Sequence, residues 1–154
     1  MLLSPRPKPV LLQATAFTVA HSVTLALAMY HVVSPPARFV EPLIAISILY
    51  VALENIVSPK LRPSRIGIVF LFGLIHGLGF AGALSDLGLP AKHYLLSLVM
   101  FNLGVELGQL TIIGLFWLLI ARWAARKPWY RQRIVIPLSV GIALLAAYLT
   151  IARL

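Results

Sequence analysis

YLLSLVMFNLGVELGQLTIIGLFWLLIA, residues 94–121, runs for 28 residues with one charged side chain, Glu106. About 20 predominantly apolar residues are enough to cross a bilayer, so this stretch predicts a membrane-spanning helix with length to spare. Glu106 then sits in the middle of the hydrocarbon, where a carboxylate costs a few kcal/mol at the least. On a helix that turns 100° per residue, Asn102, Glu106 and Gln109 fall within about 60° of arc. Gly104 and Gly108 lie on the opposite side. The span therefore has one polar face and one smooth face, and the polar face is a candidate site.

The composition of the whole chain agrees with that reading. Of its 154 residues, 60% are hydrophobic and only 11% charged, with a mean hydropathy of +0.96. A soluble domain is about 25% charged. The chain is thus expected to be an all-α integral membrane protein, a single polytopic domain over residues 1–154 with no soluble module. Its five transmembrane helices are expected near residues 12–30, 42–57, 66–83, 94–121 and 134–151. There is no cysteine, which excludes disulfides, thiolate metal sites and cysteine nucleophiles. The net charge of +9 is carried in short loops, so it reads as a topology signal and not as a nucleic-acid surface.

From the amino terminus, MLLSPRPKPV holds three prolines and two basic residues and predicts an irregular arm. The first span contains Gln13, Thr15, Thr18, His21, Ser22 and Thr24, too polar for the apolar region of a signal peptide, so it is expected to be retained. In the next segment Pro42 suits the first turn of the second helix, which puts Glu41 near the helix N-terminus, where the dipole favours a negative charge. The third span carries Gly73-x-x-x-Gly77, a spacing that lets helices approach closely in a membrane. Asp86, His93 and His31 are placed in or beside outer loops.

Ten of the thirteen basic residues lie in the N-terminal arm (Arg6, Lys8), the second loop (Lys60, Arg62, Arg65) and the fourth loop (Arg122, Arg126, Lys127, Arg131, Arg133). Only Arg38, Lys92 and Arg153 fall on the other side. The positive-inside rule then predicts a cytoplasmic N-terminus and an outside C-terminus.

With this topology His21, His76 and Glu106 share a depth near the midplane. Two imidazoles, a carboxylate and the Asn102 amide are borderline ligands suited to nickel, cobalt, zinc or iron(II). Each histidine alone reads equally well as an interhelical strut worth about 1 kcal/mol. An unpaired buried carboxylate is harder to explain structurally, because it must go neutral or bind a cation or proton. Glu54, with Ser47 and Tyr50 on its face, is either an exit ligand or proton acceptor, or a snorkelling carboxylate paired with Lys60 or Arg62.

Four segments resemble successive signatures of one family: FTVAHSVTLALA (17–28), VEPLIAISILYVALEN (40–55), FGLIHGLGFAGAL (72–84) and FNLGVELGQL (101–110). They look like the HupE/UreJ family of bacterial membrane proteins, which is associated with nickel or cobalt permeation. The resemblance implies import of a divalent transition metal, with His21, His76, Asn102 and Glu106 at the matching positions. Longer members carry an additional helix with a His and an Asp-His pair before the first of these segments. Its absence here implies a minimal transporter, a subunit that needs a partner, or a core lacking the metal step.

The function expected from the sequence is thus a permease or accessory protein for a divalent ion, nickel or cobalt first and zinc next. The proposed metal set is His21, His76, Glu106, Asn102, Gln109 and Glu54. The expected partners are the lipid bilayer, the ion, and a second copy or a membrane subunit, with no nucleic acid. Three other readings stay open: an intramembrane hydrolase using the same His/Glu set, a non-catalytic assembly subunit, and haem held by His21 and His76.

Overall fold

The computed structural model describes residues 7–59, 62, 64–85, 93–125 and 127–153, and within them every regular element is a helix. The five long helices are α1 (Pro7–Met29), α2 (Ala37–Val57), α3 (Arg65–Ser85), α4 (Tyr94–Phe116) and α5 (Ile136–Ala152). The five helical stretches they form are each long and apolar enough to cross a membrane. Arg6, Lys60, Asp86, Lys92 and Arg126, assigned above to the arm and loops, lie outside the described residues.

Two helix starts differ most from expectation, both near prolines. α1 starts at Pro7, so Pro7 to Val10 are helical where an irregular arm was expected. Proline is tolerated there because the first turn's N–H groups have no partner inside the helix. α2 starts at Ala37, after Pro36, and encloses Pro42. Glu41 therefore falls outside the first turn and does not serve the dipole; its carboxylate accepts a hydrogen bond from Arg153 Nη1 at 2.8 Å.

At the other end of the chain, α4 continues through a π turn (Trp117–Ala121) into Arg122–Ala124, and a second π turn (Arg131–Val135) leads into α5. The fourth span thus reaches Ala124, three residues past its expected end.

α1 ends in a tight reversal. The His31 N–H donates to the Ala28 carbonyl at 3.0 Å and the Val32 N–H to the Leu27 carbonyl at 2.9 Å. This crossed pair needs a left-handed residue at position 31, a place usually taken by glycine. His31 occupies it with φ 57°.

The helices pack in the order α4, α1, α3, α2, α5, with α1 against α3 as the most extensive contact. Gly73 and Gly77 make that contact possible. A Cβ on Gly73 would stand 2.6 Å from the Phe17 carbonyl oxygen, and one on Gly77 would collide with the His21 carbonyl and the Thr24 hydroxyl. α1 and α3 run parallel, while α4 crosses α1, and α5 crosses α2, in the opposite sense.

Successive helices therefore alternate in direction. Lys8, Arg62, Arg65, Arg122, Lys127, Arg131 and Arg133 gather at one end of the bundle, and Arg38 and Arg153 at the other. α4 is the outlying helix on its side: the most apolar part of its span holds no buried residue, and Leu103, Leu107 and Leu115 face outward. Such a surface is at ease only in lipid.

Candidate functional site

The polar face of α4 meets α1 at two points. Thr18 Oγ1 donates to Gln109 Oε1 at 3.2 Å, and His21 Nδ1 lies 3.3 Å from Asn102 Oδ1. The amide of Asn102 is oriented by its own helix, because its Nδ2 donates to the Leu98 carbonyl at 2.9 Å. Its oxygen therefore faces His21 as an acceptor, and His21 Nδ1 must carry the proton. The other nitrogen, Nε2, is left with a bare lone pair. It is fully buried and has no hydrogen-bond partner among the described residues.

His76 on α3 is fixed in the same tautomer by a different partner. Its Nδ1 donates to the Phe72 carbonyl one turn earlier, at 2.8 Å. A carbonyl oxygen only accepts, so here too Nε2 keeps its lone pair. Imidazoles that ligate metals are typically held this way, with one nitrogen tied back and the other free.

Aromatic rings surround the pair. Phe17 stacks on His21 with centroids 6.0 Å apart and meets His76 edge-on at 5.1 Å. Phe80 lies edge-on to His21 at 5.3 Å, and Phe101 is 6.1 Å from it. Phe80 shares the arc of α3 that carries Gly73, His76 and Gly77. Phe17 and Phe101 left no mark in the sequence, since a phenylalanine in an apolar helix looks like any other core or lipid-facing residue.

Glu106 does not complete a ligand set in this conformation. It is half-buried and has neither an ion pair nor a hydrogen bond among the described residues. Among those residues no group of three or more His, Cys, Asp or Glu side chains is close enough to hold a metal ion. The expected convergence of His21, His76 and Glu106 is thus not seen. Helical phase accounts for it: Asn102 and Gln109 lie on the contact line with α1, and Glu106 is turned some 40° to 60° away from them.

A cavity of about 890 Å³ opens between the end of α1 and helices α2 and α3. His31, Ser34, Glu41 and Arg153 line its outer part, and it reaches along α3 past Phe80 to His76. The Glu41–Arg153 pair therefore closes off one side of its rim, a contact across 112 residues of sequence that no local pattern announces.

At the opposite end of the bundle Glu54 pairs with Arg65, Oε2 to Nη1 at 3.2 Å, where Arg62 or Lys60 was expected; Lys60 lies outside the described residues. The two side chains are only 11% and 4% exposed. Arg65 looked like an ordinary loop cation in the sequence, whereas it begins α3 and points inward. At the same end, Arg131 Nη2 caps the end of α2 by donating to the Ile56 carbonyl at 2.6 Å. The adjacent Tyr130 hydroxyl is buried without a partner among the described residues, and that burial pushes its phenol above the ordinary range.

A family model described as HupE / UreJ protein matches residues 1–153. The chain belongs to the HupE/UreJ family. No curated protein and no solved structure matches it. The HupE/UreJ family comprises transporters and accessory proteins associated with nickel and cobalt and is not known for enzymes. A multi-pass membrane protein follows from that membership and from the five apolar helices.

Proposed function

We propose that this chain is a permease for a divalent transition-metal ion, nickel or cobalt first and zinc next, in the bacterial inner membrane. The reading rests above all on His21: a fully buried imidazole whose tautomer is set by Asn102 and whose Nε2 has nothing to bond. A buried polar atom without a partner is costly, and a cation that visits it would account for its presence.

The ion enters from the outer side through the cavity, passes His31 and Glu41 at its mouth, and reaches His76 at its inner end. His21 and His76 supply imidazole nitrogen, and Asn102 holds His21 in register. Glu106 supplies the negative charge a dication needs once α4 turns a fraction of a helical step toward α1, and Gln109 accompanies it. Glu54 marks the inner end of the path. The crowding of basic residues at that same end supports a cytoplasmic N-terminus. A weak mixed N/O site suits permeation, because the ion must also leave.

Calorimetric titration of the purified protein with Ni(II), Co(II) and Zn(II) tests this reading. Saturable binding is expected, weakened about tenfold or more in His21→Ala, His76→Ala and Glu106→Gln. Glu106→Gln should leave thermal stability nearly unchanged, because Glu106 has no partner to lose. Absence of binding, or binding indifferent to all three substitutions, would overturn it.

A further inference from the structure

His21 is sealed from the cavity that reaches its neighbour. His76 lines that cavity, yet His21, which shares the Phe17 ring with His76, has no exposed surface. Phe80 belongs to both environments. It is part of the cavity wall, and its ring stands 5.3 Å from the His21 ring and 5.7 Å from Phe101.

Something must move before an ion in the cavity reaches His21, and α1 and α3 are poor candidates. α1 and α3 are in backbone contact at Gly73 and Gly77, so parting them breaks the largest interface in the molecule. The backbone around Phe80 is held as well. Gly79 lies against Ile44 of α2, and Ala81 is buried in the cluster with Leu25 and Met29. The Phe80 ring is different, being 43% exposed, while Phe17 and Phe101 are more enclosed. A change of side-chain rotamer at an exposed position needs no backbone shift and is fast.

We infer that the Phe80 ring is the gate between the outer cavity and His21, opening by rotation of its side chain while α1 and α3 stay packed. This deepens the permease reading and rests on it for the identity of what passes. The gate itself is a matter of access and can be measured with no metal present. In the described conformation the ring is closed, so an ion at His76 is one aromatic side chain away from the buried imidazole. A ring at this point would also exclude the hydrated ion while closed, since an apolar constriction gates by dewetting.

The absence of cysteine makes the test clean, because a single introduced thiol is the only reactive one. His21→Cys is labelled with a membrane-impermeant methanethiosulfonate added from the outer side, in chains carrying Phe80, Phe80→Leu or Phe80→Ala. Ile44→Cys in the cavity wall is labelled in the same three backgrounds and reports whether each variant is folded and its cavity open. With Phe80 present the thiol at position 21 should react slowly, and its rate should rise about tenfold or more in Phe80→Ala and by less in Phe80→Leu. Labelling at position 44 should be the same in all three.

Rapid labelling of position 21 with Phe80 intact would overturn the gate, and so would protection that persists in both variants while position 44 reacts normally. Either result leaves metal binding at His21, measured by titration, as a separate question. If Phe80→Ala alone disturbs labelling at position 44, Phe80→Leu decides the matter by the same criteria.

Discussion

Asn102 on α4 sets the proton position of His21 on α1, across 81 residues of sequence and 3.3 Å of space. The amide can do so because its nitrogen is already committed to the Leu98 carbonyl. Replacing it with alanine frees the imidazole to rotate and to exchange tautomers. Asn102→Ala is therefore expected to weaken Ni(II) or Co(II) binding about tenfold to a hundredfold while costing about 1 kcal/mol or less in stability. Titration calorimetry and thermal unfolding in detergent, run on the same preparation, read the two effects separately.

Gly77 is the position where α1 and α3 come closest. A Cβ there would strike the His21 carbonyl and the Thr24 hydroxyl, and backbone cannot step aside as a flexible side chain can. Gly77→Ala is expected to destabilise the bundle by about 1 to 3 kcal/mol and Gly77→Val by more. Gly108→Ala is the control, since nothing stands within 4 Å of its added methyl. Thermal melting of the three variants checks the order, and equal losses at Gly77 and Gly108 would be contrary to it.

The Glu54–Arg65 pair is nearly enclosed, so its halves are unequal to remove one at a time. Glu54→Gln leaves a buried guanidinium without its counter-charge and is expected to cost about 3 kcal/mol. Replacing both residues with leucine should be much milder, because no uncompensated charge remains. Unfolding midpoints of the single and double variants measure this. Additive losses would show that the two side chains do not act as a pair.

His31 holds a left-handed backbone conformation that glycine adopts without strain. His31→Gly is expected to stabilise the protein by up to about 1 kcal/mol, and His31→Val to destabilise it. His31 also lines the mouth of the cavity, so the same His31→Gly variant should take up metal less well at low concentration. A thermal melt combined with a transport assay in proteoliposomes checks both directions, and a variant that is more stable yet slower marks His31 as kept for function.

Much of this molecule was legible in the chain because a bilayer leaves few options. Every backbone group in hydrocarbon must be bonded within its own segment, so five apolar runs separated by prolines and charges mean five helices, and their spans were readable to within a few residues. The same constraint makes a lone polar side chain conspicuous, which is why His21, His76, Asn102 and Glu106 could be picked out without any structure. The bounds that failed were at Pro7 and Pro42, where proline was read as a stop or a start although the first case is tolerated and the second is carried inside the helix.

What the sequence could not supply was the rotation of each helix about its own axis. Residues 102, 106 and 109 share an arc, and only the packing of α4 on α1 decided that Asn102 and Gln109 touch α1 while Glu106 stands aside. Likewise Arg65 reads as one of three loop cations until α3 begins at that residue and turns it toward Glu54. The aromatic wall around His21 came from three different helices: Phe80 shares the helical arc of His76, but no local pattern distinguishes Phe17 or Phe101. Hydrophobicity and hydrogen bonding along the chain determined which segments are helices and how deep each polar group lies. Side-chain packing between helices decided which of those groups meet, because that depends on contacts tens of residues apart that carry no periodic signal.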